Sequence, residues 1–432
     1  MANKVVNLAL ELGATDAEVE INEAIDKSIE VLNGQIENFE TSIEQSLALT
    51  VYLDYQKGSV CTSQLSMSNI DQIINKALDI AKYTQSDHAN GLANREELCT
   101  TMGQELNLYN PIAISNQDLC TEVLEMENIA LNSSVLITNS NGASISLGNY
   151  NFVIVNSHGF DMGYSTTRYG KSLGLIANAG QNKMQTDYWY SSSRDFNLLD
   201  NNMILAKEAV RRVLRRVSAG KVKEGMCPVI FEASIAKSLI GSFLGAISGN
   251  NLFRKLSFLN DSLNTEVFPN WFNIVEDPFI NKGLGSCYFD DEGVKVAKRS
   301  IVQNGIVKGY VLSSYTARKL NMVTTGNAGG THNIWVQPNF EGDLVSLGEV
   351  LQEGVIIIET IGHGLNMVTG DYSVGASGLL VENGVITYFV DNFTISGNLK
   401  EIFQKIKYVA NDYICGSILC GSMLIDSLQI SI

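Results

Sequence analysis

A glycine-rich segment from residue 324 to residue 333 carries the first group of side chains that could do chemistry. Thr325, Asn327 and His332 supply hydroxyl, amide and imidazole groups among small residues that let a ligand approach the backbone. No lysine follows the glycines and no β-α-β pattern frames them, so the segment fits neither a P-loop nor a dinucleotide-binding loop. It either lines a ligand site or only turns the chain.

A second glycine-rich segment places His363 and Asp371 eight residues apart. Imidazole, carboxylate and thiolate groups bind metal ions or form nucleophilic sites, so Cys415 or Cys420 could act with His363 or His332 in a hydrolase. The spacing does not match a metal-ligand pattern, and the alternative is a simple turn around the histidine.

Cysteine usage and charge limit the classes of function. The seven cysteines are scattered and odd in number, without a C-x-x-C pair, which predicts reduced thiols and neither disulfides nor a structural zinc site. The net charge of −16 argues against binding to nucleic acid or anionic membranes, because phosphate contacts need clustered cations. The sequence shows no signal peptide and no apolar stretch long enough to span a membrane. We therefore predict a cytoplasmic protein without direct nucleic-acid or membrane contacts.

A basic run on a predicted helix is the one cluster of cations. It consists of Arg211, Arg212, Arg215 and Arg216, and apolar residues occupy another stripe of the same helix. We predict a solvated face or an ion-pairing surface, because no aromatic residues alternate with the arginines as in a nucleic-acid groove.

The elements that position these residues begin with a helix and a meander of strands. Asn33-Gly34 and Asn141-Gly142 are predicted turns between strands. Further helices are predicted from Ser68, as the N-cap, to Lys82 and from 118 to 130.

One long amphipathic helix is predicted over 201–219, ended by a glycine, and the patterning changes on either side of it. This change gives the predicted domains: an amino-terminal domain at 1–200, a linking helix at 201–224 and a carboxy-terminal domain at 225–432.

The second domain opens with an apolar strand at 227–231 and a helix at 234–247, and it contains further Asn-Gly turns at 304–305 and 383–384. Four Asn-Gly turns favour antiparallel sheets, because parallel strands need long crossovers. The predicted class is α+β, with a helix-plus-meander domain followed by a largely antiparallel β domain with a few helices.

Several motifs of the carboxy-terminal half resemble those of one family. In chain order they include Gly245-Ala246-Ile247-Ser248-Gly249-Asn250, Phe289-Asp290-Asp291-Glu292-Gly293-Val294, Ser314-Tyr315-Thr316-Ala317-Arg318-Lys319-Leu320, Gly370-Asp371-Tyr372-Ser373 and Val381-Glu382-Asn383-Gly384. Together they resemble the TldD/PmbA proteins, named modulators of DNA gyrase. The resemblance implies a cytoplasmic metallopeptidase assembly of two related subunits.

The TldD-like subunit of that family carries a His-Glu-x-x-x-His motif on a helix and a cysteine near the carboxy terminus as a further zinc ligand. Two imidazoles and a thiolate hold the metal, and the glutamate takes a proton from its water. In this sequence Ile240, Gly241 and Gly245 stand at the first His, the Glu and the second His. Cys420 remains at the cysteine position, but one thiolate cannot hold zinc. The resemblance is therefore to the PmbA type, also called TldE, which lacks the motif.

We accordingly expect a subunit that is inactive alone, holds no cofactor and pairs with a zinc-containing TldD-like partner or with a second copy of itself. An open sheet edge could take a peptide as an added strand. Thr325, Asn327, His332, His363 and Asp371 would then line the vestigial cleft or the subunit interface, and a structural role is the alternative for each. The other hypotheses are an independent Cys/His hydrolase and a binding partner of DNA gyrase.

Overall fold

The computed structural model describes residues 1–66 and 69–432, so the predicted cap at Ser68 lies outside the described residues. In the amino-terminal part, one antiparallel sheet has the strand order β3-β2-β1-β4-β5-β6. Its strands are β1 (Asp16–Leu32), β2 (Gln35–Leu53), β3 (Gln56–Thr62), β4 (Ile137–Asn156), β5 (Asp161–Asn178) and β6 (Met184–Ser193).

Helices cover one face of this sheet. They are α1 (Ala2–Glu11), α2 (Ile70–Tyr83), α3 (Asn116–Leu131) and α4 (Asn202–Leu214). Val19 of β1 packs in an apolar cluster with α1 and α2, and Ile29 of the same strand packs in a second cluster with α3 and α4. These two residues are ten positions apart on one strand, so both side chains point to the same face. The sheet therefore buries its apolar side chains on the face that the helices cover.

The carboxy-terminal part contains two sheets, with strand orders β10-β9-β8-β11-β16 and β14-β13-β12-β7-β17-β15. The strands are β7 (Gly225–Phe231), β8 (Ile274–Asp277), β9 (Arg299–Gln303), β10 (Ile306–Val307), β11 (Asn333–Val336), β12 (Gly354–Ile361), β13 (Asp371–Glu382), β14 (Val385–Asn398), β15 (Ile406–Val409), β16 (Ile418–Leu419) and β17 (Met423–Ser431). Among the described strands, the β7–β12 and β11–β16 pairs are parallel and the other pairs are antiparallel. This arrangement confirms the predicted α+β class.

The core of this part is shared by both sheets and by one apolar helix. The helices are α5 (Ala233–Ala246), α6 (Gly249–Phe253), α7 (Ser314–Lys319), α8 (Leu344–Leu351) and α9 (Leu399–Gln404). Leu239 and Phe243 of α5 are buried in a cluster that also contains Ile274 of β8 and Ile357 of β12. Helix α5 is therefore held in place by both sheets. None of the described helices has the length and apolar character needed to cross a membrane.

Three of the four predicted Asn-Gly turns are confirmed. At 33–34, 304–305 and 383–384 both residues have positive φ angles between 51° and 78°, as a two-residue hairpin turn requires. The prediction at Asn141-Gly142 is wrong, because β4 runs through it and only Gly142 has a positive φ, of 104°. The pairing register with β5 shifts between Ser140 and Ala143, so the glycine marks a bulge within the strand.

The long helix predicted over 201–219 is shorter than expected, since α4 ends at Leu214. The following backbone pairs with β14 instead: the amide of Gly220 donates to the carbonyl of Phe389, and the amide of Phe389 donates to the carbonyl of Ser218. A segment that makes these bonds with a strand cannot continue a helical turn.

Candidate functional site

By the resemblance, Ile240, Gly241 and Gly245 of α5 stand at the positions of the family's zinc motif. Ile240 is fully buried in the core, whereas the position of a side chain at Gly241 faces open space. A side chain at Gly245 would meet only the end of Met367, 3.5 Å from its Cε. These residues offer no ligand and no base, so they do not fit a zinc ion.

Cys420 follows β16 and is only 2% exposed. Burial raises the pKa of its thiol, with a further contribution from Asp412, so the neutral form is favoured. The thiol faces the carbonyl of Gly421 at 3.3 Å. Among the described residues, no group of three or more His, Cys, Asp or Glu side chains is placed to hold a metal ion.

The first glycine-rich segment is organised around a buried carboxylate that the sequence analysis missed, Glu276 of β8, which is 1% exposed. Asn327 donates to its Oε1 at 2.8 Å, and the amide and Nδ1 of His332 lie 2.9 and 3.0 Å from the same atom. Arg299 donates to Oε2 at 2.7 Å, and the hydroxyl of Thr325 donates to Asn327. We name these five residues the Glu276 cluster.

Burial alone would raise the pKa of Glu276, but the hydrogen bond from His332 and the positive charge of Arg299 outweigh it and lower the pKa to about 2. The side-chain amide of Asn327 and the Nδ1 atom of His332 are thus engaged within the protein. The signal in the sequence was a glutamate two residues after Ile274, at an inward-facing position of the same strand.

His363 and Asp371 lie apart from this cluster, in and beside the exposed loop between β12 and β13. Asp371 accepts hydrogen bonds from the Thr369 hydroxyl at 2.6 Å and from Asn398 at 3.0 Å, and these bonds lower its pKa. Across 1–66 and 69–432, no hydrogen bond or ion pair joins either residue to the Glu276 cluster. The loop instead borders the bare face of α5, because it carries Met367.

Both predicted roles occur in the basic run: Arg211 is exposed on α4 and pairs with Glu208, whereas Arg212 and the two arginines just after the helix form buried or half-buried ion pairs. The pairs are Arg212 with Asp187 and Glu232, Arg215 with Glu232, and Arg216 with Asp187 and Glu359. Burial disfavours the charge on Glu232, but the neighbouring guanidiniums of Arg215 and Arg212 prevail and lower its pKa to about 2. The network ties α4 and β6 to the start of α5 and to β12.

A cavity of about 280 Å³, here called the α5 cavity, opens beside this network. It lies between β6, α4, β12 and the first turns of α5, and its lining includes three consecutive aromatic residues at 188–190. Lys237 reaches across it and donates to the hydroxyl of Tyr190 at 2.7 Å. Lys237, Gly241 and Gly245 follow each other at four-residue intervals, so they share one face of the helix. The cavity is lined by α5 residues up to Lys237, and Gly241 and Gly245 lie beyond it on the same face of the helix.

Three family models match successive parts of this chain. Models described as PmbA/TldA metallopeptidase domain 1, central domain and C-terminal domain match residues 17–81, 109–217 and 224–432. A "Metalloprotease PmbA homolog" of Haemophilus influenzae is 40% identical over 94% of this chain and 90% of its own length. The chain belongs to the PmbA/TldD family. The "Metalloprotease PmbA" of Escherichia coli O157:H7 is 38% identical over 95% of this chain and 91% of its own.

Solved structures share the whole fold. A candidate modulator of DNA gyrase from Bacteroides thetaiotaomicron superposes with a TM-score of 0.94 at 25% identity, over 100% of this chain and 98% of that chain. TldE from Thermococcus kodakarensis gives a TM-score of 0.83 at 19% identity, over 100% and 99% of the two chains. The resemblance inferred from the motifs is confirmed.

Proposed function

We propose that this chain is a noncatalytic, PmbA/TldE-type subunit of a cytoplasmic TldD-type metallopeptidase assembly, acting in proteolysis or peptide maturation. The observation that carries the proposal is the composition of α5. A family member whose motif positions hold Ile240, Gly241 and Gly245 has neither zinc ligands nor a base to deprotonate water there. Zinc and the hydrolytic step would belong to a TldD-like partner.

A peptide-binding role for this chain is supported by β6. It is the last strand of its sheet, and it lies beside the α5 cavity. No strand in the described ranges pairs with its outer edge. The Tyr188 amide donates to Asp187 and the Ser192 carbonyl faces the Cys415 thiol, so an extended peptide could pair as a further strand with the other outward amide and carbonyl groups. Such binding would read mainly the peptide backbone.

Subunit pairing is supported by a second open edge. Strand β3 pairs only with the 47–53 part of β2, and the 35–46 part is exposed on both faces. Ile36, Phe39 and Ile43 are exposed there, with Ile43 67% accessible. An edge with exposed apolar side chains suits a surface covered by another subunit. A TldD-like subunit is the proposed partner, and a second copy of this chain is the alternative.

The experiment is co-expression of this chain with a TldD-like protein that carries the zinc motif. We expect a stable complex with zinc bound by the partner, and peptide hydrolysis by the complex but not by this chain alone. Replacing both motif histidines of the partner by alanine should abolish hydrolysis while the complex still forms. Near-stoichiometric zinc or hydrolysis in the isolated chain, or no complex under native conditions, would contradict the proposal.

The contacts of the cysteines give less support to the hypothesis of an independent Cys/His hydrolase. The Cys415 thiol faces the carbonyl of Ser192, and the Cys420 thiol faces that of Gly421. No hydrogen bond between a cysteine and a histidine occurs in the described chain, and Cys415→Ser should leave the activity of the complex unchanged. A gyrase-binding role rests on the description of structural relatives, and salt-sensitive binding to purified gyrase would be its test.

A further inference from the structure

We propose that the α5 cavity binds a carboxylate group of a peptide and that Lys237 contacts it. The inference rests on the proposed peptide-binding function and specifies its chemistry. It follows from the charge, the size and the position of the cavity.

The charges around the cavity do not cancel. Three arginines of the α4 network face three carboxylates, and each of these acids already accepts from at least one guanidinium. Lys237 is the additional cation, and its ammonium group has no carboxylate within ion-pair distance in the described residues. One positive charge is therefore left over in a cavity of a chain whose net charge is −16.

The ammonium group of Lys237 is also held in place. It donates to the Tyr190 hydroxyl at 2.7 Å and lies 5.4 Å from the centre of that ring. An ammonium group has three donors, so two remain for a bound anion. Next to it, the Arg212 guanidinium lies 4.9 Å from the ring of Trp189, which fixes the cavity wall. The first turn of α5 also lines the cavity, through Ser234 and Ile235.

The volume of about 280 Å³ lies at the lower limit of typical ligand pockets, about 300–1,000 Å³. It suits a terminal residue or one side chain and excludes a whole peptide. The rest of a bound peptide would extend along the open face of α5 or the free edge of β6.

The position relates the cavity to the degenerate motif. Four residues of helix separate Lys237 from Gly241, and eight separate it from Gly245, which are about 6 and 12 Å at 1.5 Å per residue. An extended peptide advances about 3.3 Å per residue. If a peptide carboxylate binds at Lys237, the peptide bonds about two to four residues from that carboxylate would thus lie beside Gly241 and Gly245 on α5. The carboxylate is either the peptide's carboxy terminus or an acidic side chain.

The test measures binding of three acetylated alanine-serine hexapeptides to the full chain by calorimetry. One has a free carboxy terminus, the second is its amide, and the third is the amide with one glutamate. We expect the peptide that carries the recognised carboxylate to bind at least about tenfold more tightly than the neutral amide. The first and third peptides distinguish the two sources of the carboxylate.

Lys237→Gln should remove the preference for the peptide that carries the recognised carboxylate over the neutral amide. Lys237→Arg should retain part of that preference, and Lys76→Gln, at an exposed lysine, is the matched control. Equal affinity for all three peptides, no binding of any of them, or an unchanged preference in Lys237→Gln would overturn the inference. Complex formation with the TldD-like partner is measured in parallel. If the complex still forms but the peptide affinity does not depend on the carboxylate, the α5 cavity assignment is refuted and the proposed function still stands.

Discussion

Replacing Glu276 by glutamine should destabilise the protein strongly and in a pH-dependent way. The carboxylate is 1% exposed and accepts from Arg299, Asn327 and twice from His332. The folded protein lowers its pKa from 4.5 to about 2. At about 1.4 kcal/mol per pKa unit, this difference corresponds to about 3 kcal/mol of stability at neutral pH.

The glutamine variant loses this charge and also turns one acceptor into a donor that faces other donors. Breaking a buried pair on one side costs about 3–5 kcal/mol, so both estimates agree. Because the pKa is lower in the folded state, the stabilisation is present above the unfolded pKa of 4.5. It is lost as the pH falls toward the folded value of about 2.

The assay is urea unfolding of the wild type, Glu276→Gln and the exposed control Glu341→Gln at pH 7 and at several values below 5. We expect a loss of about 3 kcal/mol for Glu276→Gln at pH 7, shrinking on acidification, and a change within about 0.5 kcal/mol for the control. A loss below about 1 kcal/mol at pH 7, or one that does not change with pH, would refute the account of this cluster.

Three further predictions concern the network, the turns and the thiols. Glu232→Gln removes the carboxylate shared by Arg212 and Arg215 and leaves them only Asp187, so urea unfolding should show a loss of about 3–5 kcal/mol, and a loss under about 1 kcal/mol would contradict a stabilising network. Gly305→Ala should cost at least about 1 kcal/mol more than Gly34→Ala in thermal unfolding. Both glycines have φ near 77°, but only the added Cβ at Gly305 meets a carbonyl, that of Phe268 at 2.3 Å, and equal costs would refute this reading. In native protein a thiol reagent should modify the exposed Cys61 and Cys415 first, and Cys99 and Cys420 only after unfolding. Fast labelling of Cys420, located by mass spectrometry, would show that its surroundings open readily.

Local rules explain why much of the fold was predictable. The sequence Asn-Gly favours two consecutive positive φ angles, and three such pairs close hairpins. The fourth, Asn141-Gly142, failed because strand pairing on both sides decides the outcome. Ala143 pairs with Val31 on one side and with Leu173 on the other, so the chain bulges and continues. Turn chemistry alone does not contain that information.

The candidate site was likewise predictable only in part. That Ile240, Gly241 and Gly245 offer no zinc ligand can be read from residue types, because none of these residues has a side-chain donor atom for a metal. The α5 cavity could not be predicted, since it combines β6, α4, the start of α5 and the end of β12. These segments meet only when the first sheet is assembled against the carboxy-terminal sheet that contains β12.

The arginines of the predicted 201–219 helix show what helical periodicity alone leaves undecided. Periodicity places Arg212 and Arg216 on one face, but it does not say whether water or another part of the protein covers that face. In the structure both are buried, because the start of α5 and the end of β12 bring Glu232 and Glu359 against them. The same packing surrounds Lys237, whose ammonium group has no carboxylate within ion-pair distance among the described residues and donates to Tyr190. A family member whose α5 offers no zinc ligand at Ile240, Gly241 and Gly245 thus carries a charged cavity at the start of that helix, and in the role proposed for it this cavity binds a peptide carboxylate.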